Sequence, residues 1–266
     1  MSTAAVDLRP DYSVRNGVYL VAAIAMAAVI AEHLRMHLDA ARPDGGMPGM
    51  PGMAGMPGMA GMPGMRPAAS AVVVSWGWWV LMSAAMMLPV VAVGANRVAA
   101  ASLWRRRHVA VIEYLAGYLG VWSAFGLAAV GIVAVLWPAG VPGAAPAVAL
   151  LAAAVWQITP LRKQAMRRCA RPAYVNVRGW PADRDCVMGG IARGGRCAVT
   201  CAPVMAVMAL SHSVILMLAL TGLLLSERAA GPNPYRRAER PLQPIMLAGL
   251  AVGVGAWTAL GRGHLL

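Results

Sequence analysis

The sequence predicts an all-α protein, a polytopic transmembrane helix bundle of about six spans, and three observations lead there. Hydrophobic residues make up 59% of the 266 and charged residues only 12%, where a soluble domain carries about 25% charge. The mean hydropathy is +0.62. Apolar runs approaching the roughly 20 residues that span a bilayer recur along the chain, separated by Arg-rich, Pro/Gly-rich or polar segments. With a single Phe, the apolar mass comes from Ala, Val, Leu and Met, and the small residues let spanning helices approach closely.

The first span is expected over about 17–31, after Arg9 and Arg15. Val29-Ile30-Ala31 resembles a signal-peptidase site, so cleavage after Ala31 is the alternative to an uncleaved anchor. The anchor is preferred because the helix can continue through Glu32-His33-Leu34. Residues 1–42 then form an amino-terminal segment, 43–67 a Met/Gly/Pro-rich low-complexity linker, and 68–266 the transmembrane domain. Its spans are expected at about 71–95, 109–137, 147–161, 198–225 and 242–260, with a basic, Cys-containing loop over 162–197. Trp76, Trp78 and Trp79 suit the membrane interface at the start of span two. A charge-free Pro/Gly turn over 138–146 joins spans three and four.

A net charge of +13 raises the question of nucleic acid, but no nucleic-acid-binding module is recognisable. The partner this charge implies is the lipid bilayer, whose anionic headgroups attract Arg clusters flanking the spans. With the amino terminus inside, 16 Lys/Arg face the cytoplasm and 7 face out. The positive-inside rule therefore gives a multi-pass protein of the bacterial inner membrane with a cytoplasmic amino terminus. The linker then faces outward and the loop over 162–197 faces the cytoplasm. A nucleotide loop, a nucleophile elbow and an acid/base pair are all missing from the sequence, so no enzyme activity is expected; an enzyme with a redox-active thiol ranks last.

The linker carries Met47, Met50, Met53, Met56, Met59, Met62 and Met65, one methionine every third residue among Gly and Pro. Pro and Gly forbid a regular helix, leaving an extended chain. Thioethers on such a tether are soft ligands, and soft sulfur selects Cu(I). The bland alternatives are a collagen-like repeat, for which seven triplets are few, and a functionless repeat expansion. Just before the linker, His33 and His37 stand four apart on one helical face, an imidazole pair suited to copper or zinc or merely solvated.

Inside the predicted spans, Met82 and Met86 share a face of span two, a stripe that packing alone also explains. On span five, at 100° per residue, Cys197, Cys201, Met205, Met208 and His212 fall within an arc of about 80°. An ionisable residue inside a membrane is a functional hypothesis by default, and this ladder of S and N donors is what a soft ion needs to dock or cross. The alternative is small-residue packing, with His212 bonded to a carbonyl. Cys169 lies among Arg167, Arg168 and Arg171, and positive charge favours thiolate.

Taken jointly, WVLMSAAMMLP (79–89), WQITPLRKQAMRRCARP (156–172) and GGRCAVTCAPVM (194–205) resemble a bacterial family of predicted metal-binding integral membrane proteins. That family is a domain of unknown function also described as copper chaperones, and the resemblance covers roughly 76–227. Glu227-Arg228 closes span five where the family has Glu-Lys. Two thiols of the family pattern are replaced: Ala165 stands at the first of two cysteines around the basic stretch, and Thr200-Cys201-Ala202 stands where adjacent cysteines precede Trp. The resemblance implies copper handling by a membrane helix bundle. The leading expectation is a protein that binds Cu(I) through Met, Cys and His and delivers it to a copper-dependent enzyme or across the membrane. The alternative is a structural or assembly subunit of a membrane complex without bound metal. Oligomeric state is open.

Overall fold

A computed structural model describes residues 12–40, 69–169, 179–211, 213–229 and 242–259. Among these, every regular element is a helix. The helices are α1 (Tyr12–Ala40), α2 (Ala69–Ala101), α3 (Arg107–Leu136), α4 (Ala145–Ile158), α5 (Pro160–Cys169), α6 (Gly179–Leu210), α7 (Val214–Ala229) and α8 (Leu242–Ala259). Helices α1, α2 and α3 are long and apolar enough to cross a membrane. The bent pair α4–α5 is a fourth candidate, and the apolar stretches of α7 and α8 are shorter. The six apolar segments of the sequence therefore all contain helix, in a polytopic helical bundle.

Helix α1 offers the bundle only a narrow stripe. Val14, Val18, Ala22, Ala25 and Val29 are buried, recurring every three or four residues, while Leu20, Val21 and Ile24 are exposed. This one-sided burial, with apolar residues all round, is what a lipid-facing helix packed mainly against one neighbour, here α2, requires.

Glycine sets the central contacts. A side chain at Gly190 would overlap the Tyr114 carbonyl oxygen, and one at Gly117 the Val187 carbonyl oxygen. At Gly194 a Cβ would come within 2.9 Å of the Val121 Cβ. Small residues allow this backbone-to-backbone approach, which compensates for the missing hydrophobic drive between helices in lipid. The pairings rise together along both helices, so α3 and α6 run parallel. Helix α2 runs antiparallel to α3: Gly94 meets Tyr114, and Trp79 fills the space beside Gly126 while its indole N–H donates to the Trp122 carbonyl at 3.0 Å.

Two expectations are corrected. The segment 162–197, read as a loop from its charge, is helical over most of its length: α5 occupies 160–169, and α6 begins at Gly179. Ala182, Cys186, Gly190 and Gly194 form a buried face there, so the charges occupy the other side of a helix. Span five, read as one helix over 198–225, is broken between α6 and α7. Ser213 is the reason: its Oγ accepts from the Leu216 N–H at 3.4 Å, an N-cap that starts a new helix. The same device bends α4 from α5 by 69°. Thr159 accepts from the Arg162 N–H at 3.4 Å, and Pro160 takes the first helical position.

These breaks decide which ends meet. Gly143, before α4, lies against Thr258 near the end of α8, with an added Cβ 3.9 Å away. At the other end of α4, Arg162 meets Glu227 at the end of α7 and Gln243 at the start of α8. Helix α7 therefore runs back toward the basic end. The segment 230–241 is expected to share a membrane face with Trp104, and position 264 to lie on the opposite face. Single cysteines at Trp104, Asn233 and His264 in a cysteine-free chain, probed on intact cells with an impermeant thiol reagent, check this. Asn233→Cys should label like Trp104→Cys, and His264→Cys oppositely; Asn233 and Trp104 labelling from different faces would restore the single span over 198–225.

Candidate functional site

Above the glycine contact the buried face of α6 changes from small residues to sulfur. Cys197, Cys201, Met205 and Met208 are all buried, none more than 3% exposed. The four share one face because they recur at helical spacing. The thiols of Cys197 and Cys201 lie 3.9 Å apart, sulfur to sulfur, and neither is in a disulfide. Thr200 orders the turn between them: its hydroxyl donates to the Cys197 carbonyl at 2.9 Å and lies 3.5 Å from Cys201 Sγ.

Tyr118 of α3 completes the constellation from across the seam. It is fully buried, and its hydroxyl donates to Cys197 Sγ at 3.3 Å. The contact depends on Gly194, because the Tyr118 carbonyl lies 3.1 Å from where a Cβ at that position would stand. No pattern in the sequence ties Tyr118 to Cys197, 79 residues away.

Helix α2 brings further sulfur to the same level. Met82, Met86 and Met87 are buried, and they lie along α2 between Trp79, which meets Trp122, and Gly94, which meets Tyr114. They thus stand beside the stretch of α3 that holds Tyr118 and Trp122, in one core with Cys197, Cys201, Met205 and Met208. Met217 of α7, buried in that core as well, was not picked out from the sequence.

The other expected ligands are placed differently. His33 and His37 are at the end of α1, their Nε2 atoms 3.0 Å apart, outside the core. Beside them Arg35 Nε donates to Glu32 at 2.8 Å. Cys169 ends α5, but its side chain lies outside the described residues, as do His212 and the seven linker methionines from Met47 to Met65. Among the described residues, no three or more His, Cys, Asp and Glu side chains come together as a metal site. The soft donors that share this buried core among the described residues are thiols and thioethers.

A matching family model, described as PpoB2, copper chaperone, covers residues 76–256. The chain belongs to this copper chaperone family. The match begins at the Trp76 end of α2 and runs into α8, so it takes in the sulfur face of α6, Tyr118 and the α5–α7–α8 junction, and leaves out α1 and the linker. It associates the chain with copper. No curated protein and no solved structure matches the chain.

Within the family region the one buried ion pair is at that junction, among the described residues. Arg162 Nη2 donates to Glu227 Oε1 at 2.7 Å and to Gln243 Oε1 at 3.3 Å, with the two charged side chains 3% and 7% exposed. Arg162 Nε and the Gln243 amide nitrogen have no partner among the described residues, so the charges are incompletely satisfied. Removing one partner of a buried pair strands the other and costs about 3–5 kcal/mol, whereas replacing both with apolar residues is often neutral. Arg162→Met should therefore lower the unfolding midpoint in detergent markedly, and Arg162→Met with Glu227→Leu should recover most of the loss. A double variant as unstable as the single one would show that the cost lies elsewhere.

Proposed function

We propose that the protein binds Cu(I) between α3 and α6 through Cys197 and Cys201, with a thioether from Met205 or Met208, and hands the ion on to a copper-dependent enzyme. The observation that carries this reading is the pair of thiols 3.9 Å apart on a buried face. An ion bonded to both sulfurs at about 2.3 Å, the usual metal–thiolate length, would subtend an angle near 115° at that separation. That is close to trigonal and leaves room for a third soft donor, which the next turns of α6 supply. A set made of thiols and thioethers, buried in an apolar core and without carboxylates, favours Cu(I) over harder ions.

The remaining sulfur extends the reading outward. Met47 to Met65 and the His33/His37 pair serve as collectors on the outer side, with Met82 and Met86 as further thioethers in the same buried core, on α2. The protein performs no catalysis of its own. Orientation follows from the basic residues. Because α7 returns to the Arg162 end, Arg228, Arg236, Arg237 and Arg240 join the cytoplasmic side and Arg262 leaves it, so 19 of 23 basic residues lie there in place of 16. The protein is thus an inner-membrane protein of a bacterium, its amino terminus in the cytoplasm and its linker outside.

The second reading is a structural subunit, favoured by the complete burial of Met86 and Met205, which packing alone also produces. Metal analysis of the full chain in detergent after Cu(I) loading separates the two. The intact chain should retain copper, and Cys197→Ser with Cys201→Ser should lose at least ten-fold in affinity at the core site. Tyr118→Phe, which removes a hydrogen bond and no ligand, should keep the stoichiometry. Copper equal to that of a sulfur-free control helix protein would leave the subunit reading standing.

A further inference from the structure

We infer that the core thiol pair exchanges its ion only through the end of the bundle where α6 finishes, and that the seam between α3 and α6 is closed toward the basic end. The inference rests on the copper reading above and adds a direction to it: the protein returns copper to the side it came from and does not conduct it inward.

Three observations close the basic end. First, the seam below Cys197 is backbone against backbone. Gly117, Gly190 and Gly194 each lack room for a methyl group, so no ion, which is larger in its ligand shell than a methyl, can pass there. Second, donors stop. The next sulfur on that face is Cys186, 11 residues away and so about 16 Å along the helix, with Gly190 and Gly194 between them. Cys186 is fully buried on the same small-residue face as Gly190 and Gly194. Third, the mouth beyond Cys186 is bridged by an ion-pair network. Arg106 Nη2 pairs with Glu113 at 3.0 Å and with Asp183, joining the start of α3 to the start of α6 where a cation would have to leave.

The opposite direction differs in kind. From Cys201 the face continues through Met205 and Met208, so soft donors recur at every turn until α6 ends at Leu210. There the helix gives way at the buried serines Ser211 and Ser213, where the chain reverses into α7. A break in helical hydrogen bonding inside a membrane is tolerated only where protein or a cavity satisfies the backbone.

The test uses the full chain in proteoliposomes, with Cu(I) as the probe. The fraction of molecules in each orientation is measured by labelling Trp104→Cys from outside. Loaded vesicles are then treated with an impermeant Cu(I) chelator, and luminal copper is followed with an encapsulated indicator. The chelator should strip copper only from molecules whose α6 end faces outward, in proportion to that fraction, and luminal copper should not exceed the amount initially bound by molecules whose α6 end faces inward. Cys186→Ser should leave bound copper unchanged. Luminal copper rising several-fold, or stripping of both orientations, would overturn the inference while leaving copper binding intact. A chain that retains no copper overturns the copper reading, and this inference with it.

Discussion

Gly117, Gly190 and Gly194 allow the backbones of α3 and α6 to touch, and the rest of the bundle is arranged around that contact. In lipid there is no hydrophobic force to press two helices together, so close approach and dispersion must do it. The contact fixes the register of α6 on α3. That register puts Tyr118 opposite Cys197, stacks the sulfur residues above the seam and keeps the small residues below it. Helix α2 docks on another side of α3 by the same logic, with Trp79 taking the space left by Gly126.

Two helix breaks and one buried ion pair then hold the periphery. Thr159 and Ser213 act as caps in the middle of apolar sequence, bending α4 away into α5 and turning α6 into α7. The breaks bring together the ends of three helices at Arg162, Glu227 and Gln243. Buried ion pairs contribute little net stability but penalise any arrangement that leaves one member alone. The pair therefore specifies which ends meet more than it strengthens the bundle.

Much of this was legible in the sequence, and what was not has physical reasons. Hydropathy gave the helical class because a spanning helix is a local property, and the spacing of Cys197, Cys201, Met205 and Met208 placed them on one face, which is buried. Hydropathy could not see the break at Ser213, since a cap acts through one hydroxyl inside an apolar run. The helix over the charged segment from Gly179 was missed because Arg184, Arg193 and Arg196 suggested a loop, although the small residues between them already followed a helical period. Tyr118 and the partners of the glycines were out of reach, being contacts between helices far apart in the chain. The expectations for Met47 to Met65 and His212 fall outside the described residues.

The central claim is that sulfur from α6 holds copper inside the bundle. X-ray absorption at the copper edge, on the full chain carrying Met47→Leu through Met65→Leu at all seven linker positions and loaded with one equivalent of Cu(I), tests it most directly. The account predicts Cu(I) in a three-coordinate, sulfur-only environment that disappears when Cys197 and Cys201 become serine. A first shell of nitrogen or oxygen, or a spectrum indifferent to those two cysteines, would contradict it.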